Sequence, residues 1–311
     1  MTAFIKTSLL TVSIALSTAS FAEAHSHKSD HKKGDEKSTI HAPDISTTKL
    51  ADDFYLLKGP GGNIGVSTGP DGVYVIDDKF ARFADQIIAR IGEVSDEPIR
   101  FVLNTHYHGD HSGANAEMKE TGATIIAHDN VRKRMGMTFE NKTWGRTIKA
   151  VDESLWPTLT FSDKTTLHFN GQTATAHHVP HAHTDGDSIV SFMPANIIHM
   201  GDNYFNGLFP YVDVDGGGSL QGMIAAQTKA IAMSDDDTQI IPGHGPMATK
   251  EDLTKSRDIL ADILARVKAA KERGLSMEDT VKAVPLDDYK DLSSFIDQAN
   301  MVRTTYRSLD K

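Results

Sequence analysis

Short apolar runs alternate with turn-forming clusters from about Leu50 onward, the rhythm of an α/β protein rich in strands. Phe54-Tyr55-Leu56-Leu57 and Gly65-Val66-Ser67 flank Gly59-Pro60-Gly61-Gly62, a turn cluster. Pro70-Asp71-Gly72 then turns into a β-rich run over 73–76 that ends at Asp77. Phe80, Phe83, Ile87, Ile88 and Ile91 recur at helical spacing and predict an amphipathic helix closed near Gly92. Residues 99–103, after Pro98, read as a buried strand running straight into Asn104-Thr105-His106, and 124–127 as another. Asn170-Gly171, between β-rich runs at 167–169 and 173–176, is a two-residue hairpin signal. Strands over 189–193, 197–200 and 239–241 and a helix over 219–233 complete this part.

Beyond His244 the period becomes helical. Thr249 and Asp252 have the spacing of a capping box, and Leu253, Leu260, Leu264 and Val267 line one face until Gly274. Ser276 and Asp279 open a short second helix that ends before Pro285, and Phe295, Ile296, Ala299, Val302 and Tyr306 mark a third. There is no internal repeat. The expected organisation is a catalytic part over 45–248 and a helical extension over 249–311 packing on it.

The N-terminus reads differently. Residues 1–24 combine Lys6, an apolar or small stretch from Ser8 to Ala19 and two small-x-small sites, the anatomy of a secretory signal peptide. Residues 25–44 read as a disordered His- and Lys-rich linker, because a segment so polar cannot bury enough surface to order itself. Its His25, His27 and His31 are either a solvated tail or a loose zinc collector. No later segment approaches about 18 unbroken apolar residues, so a protein free of the membrane after signal cleavage is expected, periplasmic or secreted.

Composition narrows the chemistry. The 311 residues carry a net charge of −10, which argues against a nucleic-acid partner. The absence of cysteine excludes disulfide scaffolds, cysteine nucleophiles and thiolate zinc sites. Any metal must therefore sit on carboxylates and on some of the 15 histidines.

One cluster stands out. His106, His108, Asp110 and His111 fall within six positions at the end of a strand. Alternating side chains aim His106 and His108 together, and a turn at Gly109 lets Asp110 and His111 face a second metal. Three histidines and an acid packed this closely would be costly without a cation. His183 (in His183-Thr184-Asp185-Gly186-Asp187), Asp202 (after Gly201) and His244 (in Pro242-Gly243-His244-Gly245) each lie where a loop leaves a strand.

His-x-His-x-Asp-His, the later His-Thr-x-Gly-Asp, a Gly-Asp and a final Pro-Gly-His-Gly, in that order, resemble the metallo-β-lactamase superfamily over about residues 50–250. The resemblance implies an αβ/βα sandwich with two zinc ions in a cleft at one edge. It assigns His106, His108 and His183 to one ion, and Asp110, His111 and His244 to the other, with Asp202 terminal or bridging. Two zincs about 3.5–4 Å apart would bring a shared water's pKa toward about 7 and polarise a carbonyl. Asp110 is then the catalytic residue, orienting the attacking hydroxide and carrying a proton. Iron is the competing metal, but iron-binding relatives tend to carry Glu where this chain has His108.

These residues predict an exported zinc hydrolase acting on a small amide, lactam, ester or lactone. The pattern departs from zinc β-lactamases with Cys at the second site: Asp202 stands there, and Phe205 where several of them place Lys. A thioesterase of the glyoxalase II type, a non-enzymatic periplasmic zinc-binding protein and an interaction module are the alternatives. Asp77 either supports the metal loop or caps the following helix, and Asn104 and Thr105 are further supports. Trp144 and Trp156 read as core, with walls of the pocket as the other possibility, and His177, His178, His181 and His199 read as structural. Gly216-Gly217-Gly218 reads as an ordinary loop leading into a helix, with a lid as the other possibility.

Overall fold

The computed structural model describes residues 45–310; the expected signal peptide and linker lie outside the described residues. Chain order begins with β1 (Ser46–Ala51), β2 (Phe54–Lys58), β3 (Ile64–Ser67), β4 (Val73–Ile76), β5 (Ile99–Leu103) and β6 (Thr124–His128). A hairpin of β7 (Phe139–Asn141) and β8 (Arg146–Ile148) stands apart, and β9 (Leu159–Phe161) pairs with β6 to complete a seven-stranded sheet. The second sheet runs in sequence order through β10 (Lys164–Phe169), β11 (Gln172–His178), β12 (Ser188–Met193), β13 (Ile197–His199) and β14 (Gln239–Ile241). The first sheet is antiparallel from β1 to β4 and parallel from β4 to β9; in the second only β13 and β14 are parallel.

Strand alternation builds the layers. In β4, Tyr74 and Ile76 face the other sheet while Val73 and Val75 face helices. Phe54, Leu56, Tyr74 and Leu103 of the first sheet meet Ala176, Val190, Phe192 and Ile241 of the second in one buried cluster. Outside the first sheet lie α1 (Ala84–Gly92), the single turn α2 (Gly109–Ser112), α3 (Asn115–Glu120) and α4 (Asp129–Met135). Phe83, Ile87 and Ile91, three of the positions that predicted α1, are its buried stripe against that sheet. Outside the second sheet, Leu220 and Met223 of α5 (Leu220–Met233) share a core with Leu253, Leu260, Ile263 and Val267 of α6 (Lys250–Glu272). α7 (Met277–Ala283) and α8 (Gln298–Ser308) follow. The result is the αβ/βα sandwich with a C-terminal helical extension.

Local chemistry sets the boundaries. Thr249 and Asp252 form the reciprocal capping box, and Ser219 caps α5 by accepting from Gly222 N. Asn170 and Gly171 both have positive φ, as a tight hairpin of this type demands. One boundary differs from expectation: Asp297 caps α8, so Phe295 precedes that helix and is 54% exposed instead of lining its buried face.

Candidate metal centre

The functional loops leave β4, β5, β11, β13 and β14, and bring all seven predicted ligand positions together. Two groups of residues could each hold a metal ion: His106, His108, His183 and Asp202, and Asp110, His111 and His244. Asp202 stands between them. Its Oδ2 lies 3.7 Å from His106 Nε2 and 3.5 Å from His183 Nε2, and its Oδ1 lies 2.9 Å from His111 Nε2 and 3.4 Å from His244 Nε2. Asp110 approaches His244 Nε2 at 3.3 Å from the open side.

Each ligand loop has a physical reason for its path. Asp77, at the end of β4, has φ +64° and does not cap a helix. Its carboxylate accepts from Thr105 N at 2.7 Å, Thr105 Oγ1 at 2.9 Å and His111 Nδ1 at 2.7 Å. Asn104 Nδ2 donates to His111 O, closing the turn over α2. Asp187 accepts from the amide and hydroxyl of Thr184, which fixes the loop carrying His183. Gly243 N donates to Gly201 O, and a Cβ on Gly243 would stand 2.1 Å from Asp202 Oδ1, so the close approach of the Asp202 and His244 loops requires glycine.

Four of the five imidazoles have one nitrogen committed to the protein. His106 Nδ1 donates to Thr105 Oγ1, whose own proton goes to Asp77; His111 Nδ1 donates to Asp77. His183 Nδ1 donates to Tyr211 O at 2.7 Å, and His108 Nε2 donates to Asp213 Oδ2 at 3.0 Å. These bonds leave the opposite nitrogens as lone pairs aimed into one space. There His108 Nδ1 faces His183 Nε2 at 2.9 Å and His111 Nε2 faces His244 Nε2 at 3.4 Å. Between His108 and His183 lone pair meets lone pair, which is repulsive, and His106 Nε2 and Asp202 Oδ1 are buried without a hydrogen-bond partner. Divalent cations among these nitrogens and oxygens satisfy all of them, so the residues present fit a metal pair.

The charge balance points the same way. Burial, helped by the neighbouring His108 and opposed by Asp202, pulls His183 down to about 4, keeping it neutral. Burial also disfavours charge on His244, but Asp202 and Asp110 outweigh it and push it up to about 9. Burial raises Asp110, yet His111 and the hydrogen bond from His244 bring it to about 2. The acidic residues thus demand positive charge in the cleft, from protons or from metal.

Sequence reasoning missed the supporting role of Tyr211 and Asp213. Tyr211 O holds His183, Asp213 N donates to His183 O, and the Asp213 carboxylate holds both His108 and the Tyr107 hydroxyl. An acid in Tyr-Val-Asp-Val-Asp has no periodic or motif spacing to single it out. Gly216, Gly217 and Gly218 beside it are the loop leading into α5, as expected, and it is closely packed: Cβ atoms there would meet Asp213, Asp185 and the His183 carbonyl at 2.4, 2.8 and 2.1 Å. Trp144 is not core; it is 40% exposed and packs on Tyr211.

The metallo-beta-lactamase superfamily profile matches residues 50–244, and the chain belongs to that superfamily. It is 28% identical over 158 residues to a hydroxyacylglutathione hydrolase from Polaromonas sp.. That match covers 50% of this chain and 52% of the relative, so the chain spans about half the length of that protein. Among solved structures it resembles a metallo-beta-lactamase from Pontibacter korlensis, with TM-score 0.58 and 15% identity over 70% of this chain and 99% of that one. It also resembles the sec-alkylsulfatase Pisa1 from Pseudomonas sp., with TM-score 0.64 and 16% identity over 84% of this chain and 50% of that one. At such identities these likenesses speak for the fold alone.

Proposed function

We propose that the protein is an exported binuclear zinc hydrolase that cleaves a small carbonyl substrate, an ester, lactone, amide or lactam. The observation that carries the reading is Asp202, whose two oxygens face the two ligand groups separately. His106, His108 and His183 would hold one ion and Asp110, His111 and His244 the other, with Asp202 bridging. Five imidazoles and two carboxylates without a thiolate suit Zn²⁺. Two zinc ions there would supply an acidified water and a Lewis acid for the carbonyl oxygen.

The chain's own residues do the rest. Asp110 lies on the open side of the centre, the only one of the two carboxylates with appreciable exposure, so its oxygen can accept a hydrogen bond from the attacking water and pass the proton to the leaving atom. Asp77, Asp213 and Tyr211 hold the imidazoles in the tautomers that binding requires. Burial of His106, His183 and Asp202 keeps bulk water from the inner side of the cleft.

The test is metal content of the purified mature protein together with turnover of a chromogenic cephalosporin, a lactone and a thioester, each against Asp110→Ala. Two zincs and turnover lost in the variant support the reading. Preference for the thioester moves it to the glyoxalase II type; zinc binding without turnover of any of the three sinks the enzyme and leaves a zinc-binding protein.

A further inference from the structure

Rings frame the open face of the centre. His108 and His244 are its two partly exposed imidazoles, and each carries an aromatic stack. Tyr211 lies on His108 with centroids 5.8 Å apart and planes 29° from parallel, and Trp144 packs on Tyr211 at 5.5 Å. Phe205 lies on His244 at 5.0 Å and 15°, and Phe295 meets Phe205 at 6.3 Å. Both ladders end in rings open to water, Trp144 and Phe295. Single exposed apolar residues are ordinary on a protein surface. Two that terminate continuous stacks, one rising from each ligand group of the same centre, are a shared arrangement.

The first ladder is fastened in place. Asn141, buried in the β7–β8 hairpin, donates through Nδ2 to the Tyr211 hydroxyl and accepts from Trp144 N, each at 2.9 Å. Asp215 accepts from the amides of Lys142 and Thr143 and pairs with Arg307 of α8. The second ladder is tied through Phe209 N, which donates to Leu292 O at 2.7 Å just before Phe295. The helical extension thus supplies one ring and braces another.

We propose that the exposed ends of these two ladders, Trp144 and Phe295, held in place by the buried rings of Tyr211 and Phe205, form the subsite for an apolar arm of the substrate, which makes the preferred substrate an uncharged ester or lactone bearing an alkyl or aryl group. Fixed rings offer contact area at little conformational cost. No Lys or Arg is a member of either stack, so a carboxylate on the arm would lose its water against ring faces that are themselves electron-rich. The proposal rests on the hydrolytic reading for the reacting group. In that reaction the water oxygen bonds to the acyl carbon, the acyl–oxygen bond breaks, and one proton passes to the leaving oxygen. No oxidant or reductant is needed.

Binding of the arm is measurable apart from turnover. The chain has two tryptophans, so Trp156→Phe leaves Trp144 as the sole reporter. In that zinc-loaded variant, methyl butyl, methyl hexyl and methyl octyl ketone should shift Trp144 emission saturably. Kd should tighten along the series by up to about fourfold per methylene, the value for full burial. On the metal-free variant, where no cation can take the carboxylate, a keto acid of matching length should bind at least about tenfold more weakly than the ketone, as an unpaired charge against apolar surface requires. Adding Phe295→Ser should weaken the octyl ketone more than the butyl ketone, whereas Met193→Ser, an equally exposed apolar side chain at the end of β12, should change neither. No emission response, a Kd independent of length, or equal binding of the keto acid overturns the proposal. Nitrophenyl acetate, hexanoate and decanoate are assayed in parallel. Length-dependent ketone binding without ester turnover sinks the hydrolytic reading and leaves the subsite standing; ester turnover without length dependence in either assay does the reverse.

Discussion

Asp213→Asn isolates the role of the 211–213 segment, because it changes one oxygen for one nitrogen without changing shape. In the native chain Asp213 Oδ1 accepts from Gly216 N at 2.9 Å, while Oδ2 accepts from His108 Nε2 at 3.0 Å and from the Tyr107 hydroxyl. Asparagine keeps the bond from Gly216 by presenting its oxygen there, which turns its NH₂ toward His108. The imidazole must then accept at Nε2 and carry its proton on Nδ1, the nitrogen that faces His183 at 2.9 Å. A hydrogen now occupies the position where a metal needs a lone pair. Loss of such a supporting contact costs roughly 10–100-fold in metal affinity, which is about 1.4–2.7 kcal/mol. The loss should fall on the ion held by His106, His108 and His183, leaving the other nearly intact. Competition against a chromophoric chelator reads both affinities. Tyr107→Phe removes the other donor but spares the carboxylate, so it should stay within about threefold of wild type, well under the tenfold that a supporting contact carries. Wild-type affinity for both ions in Asp213→Asn would refute the tautomer argument.

Two further outcomes follow from the same structure. Gly62→Ala places a Cβ 2.1 Å from the His111 ring, which Asp77 holds fixed; it should cost about 1–3 kcal/mol of stability and deplete the second ion, while Gly92→Ala, with nothing within 4 Å, should do neither in a thermal scan with metal analysis. Burial pulls His199 down to about 4 from its ordinary 6.5, so its share of stability is complete above pH 6.5 and is lost as pH falls toward 4. His199→Gln should flatten the acid limb of metal-free urea unfolding by up to about 3 kcal/mol; parallel curves for variant and wild type would exclude it.

How much of this was legible depends on whether a signal was local. His106, His108, Asp110 and His111 fall within six positions, and each of the other candidate ligands lies in a short motif at a strand end, so all seven candidates could be singled out from the chain. Hydrophobic spacing likewise marked β4, β5, α1 and α6, whose buried faces are regular. The supports were not legible in that way. Asp213 acts on His108 across 105 residues of chain, and Tyr211 acts through a backbone carbonyl, which carries no residue signature. Asp77 could be noticed as an acid at a strand end, but only its bonds to Thr105 and His111 separate a support from a helix cap. Phe295 misled because its spacing continued a helical pattern that Asp297 interrupts. Strands of three residues, such as β7 and β8, are too short for alternation to register.

The position of Asp202 has a consequence for how the protein is made. Asp77 and the residues from His106 to His111 hang from the first sheet, whereas His183, Asp202, Asp213 and His244 hang from the second or its loops. Neither half holds a complete set, and the nitrogen of His108 is aimed by an acid from the other half. A cation captured there would be a rivet between the two sheets, its binding energy adding to their docking. Loading would then be the closing event of maturation, available only to chains whose halves have already met.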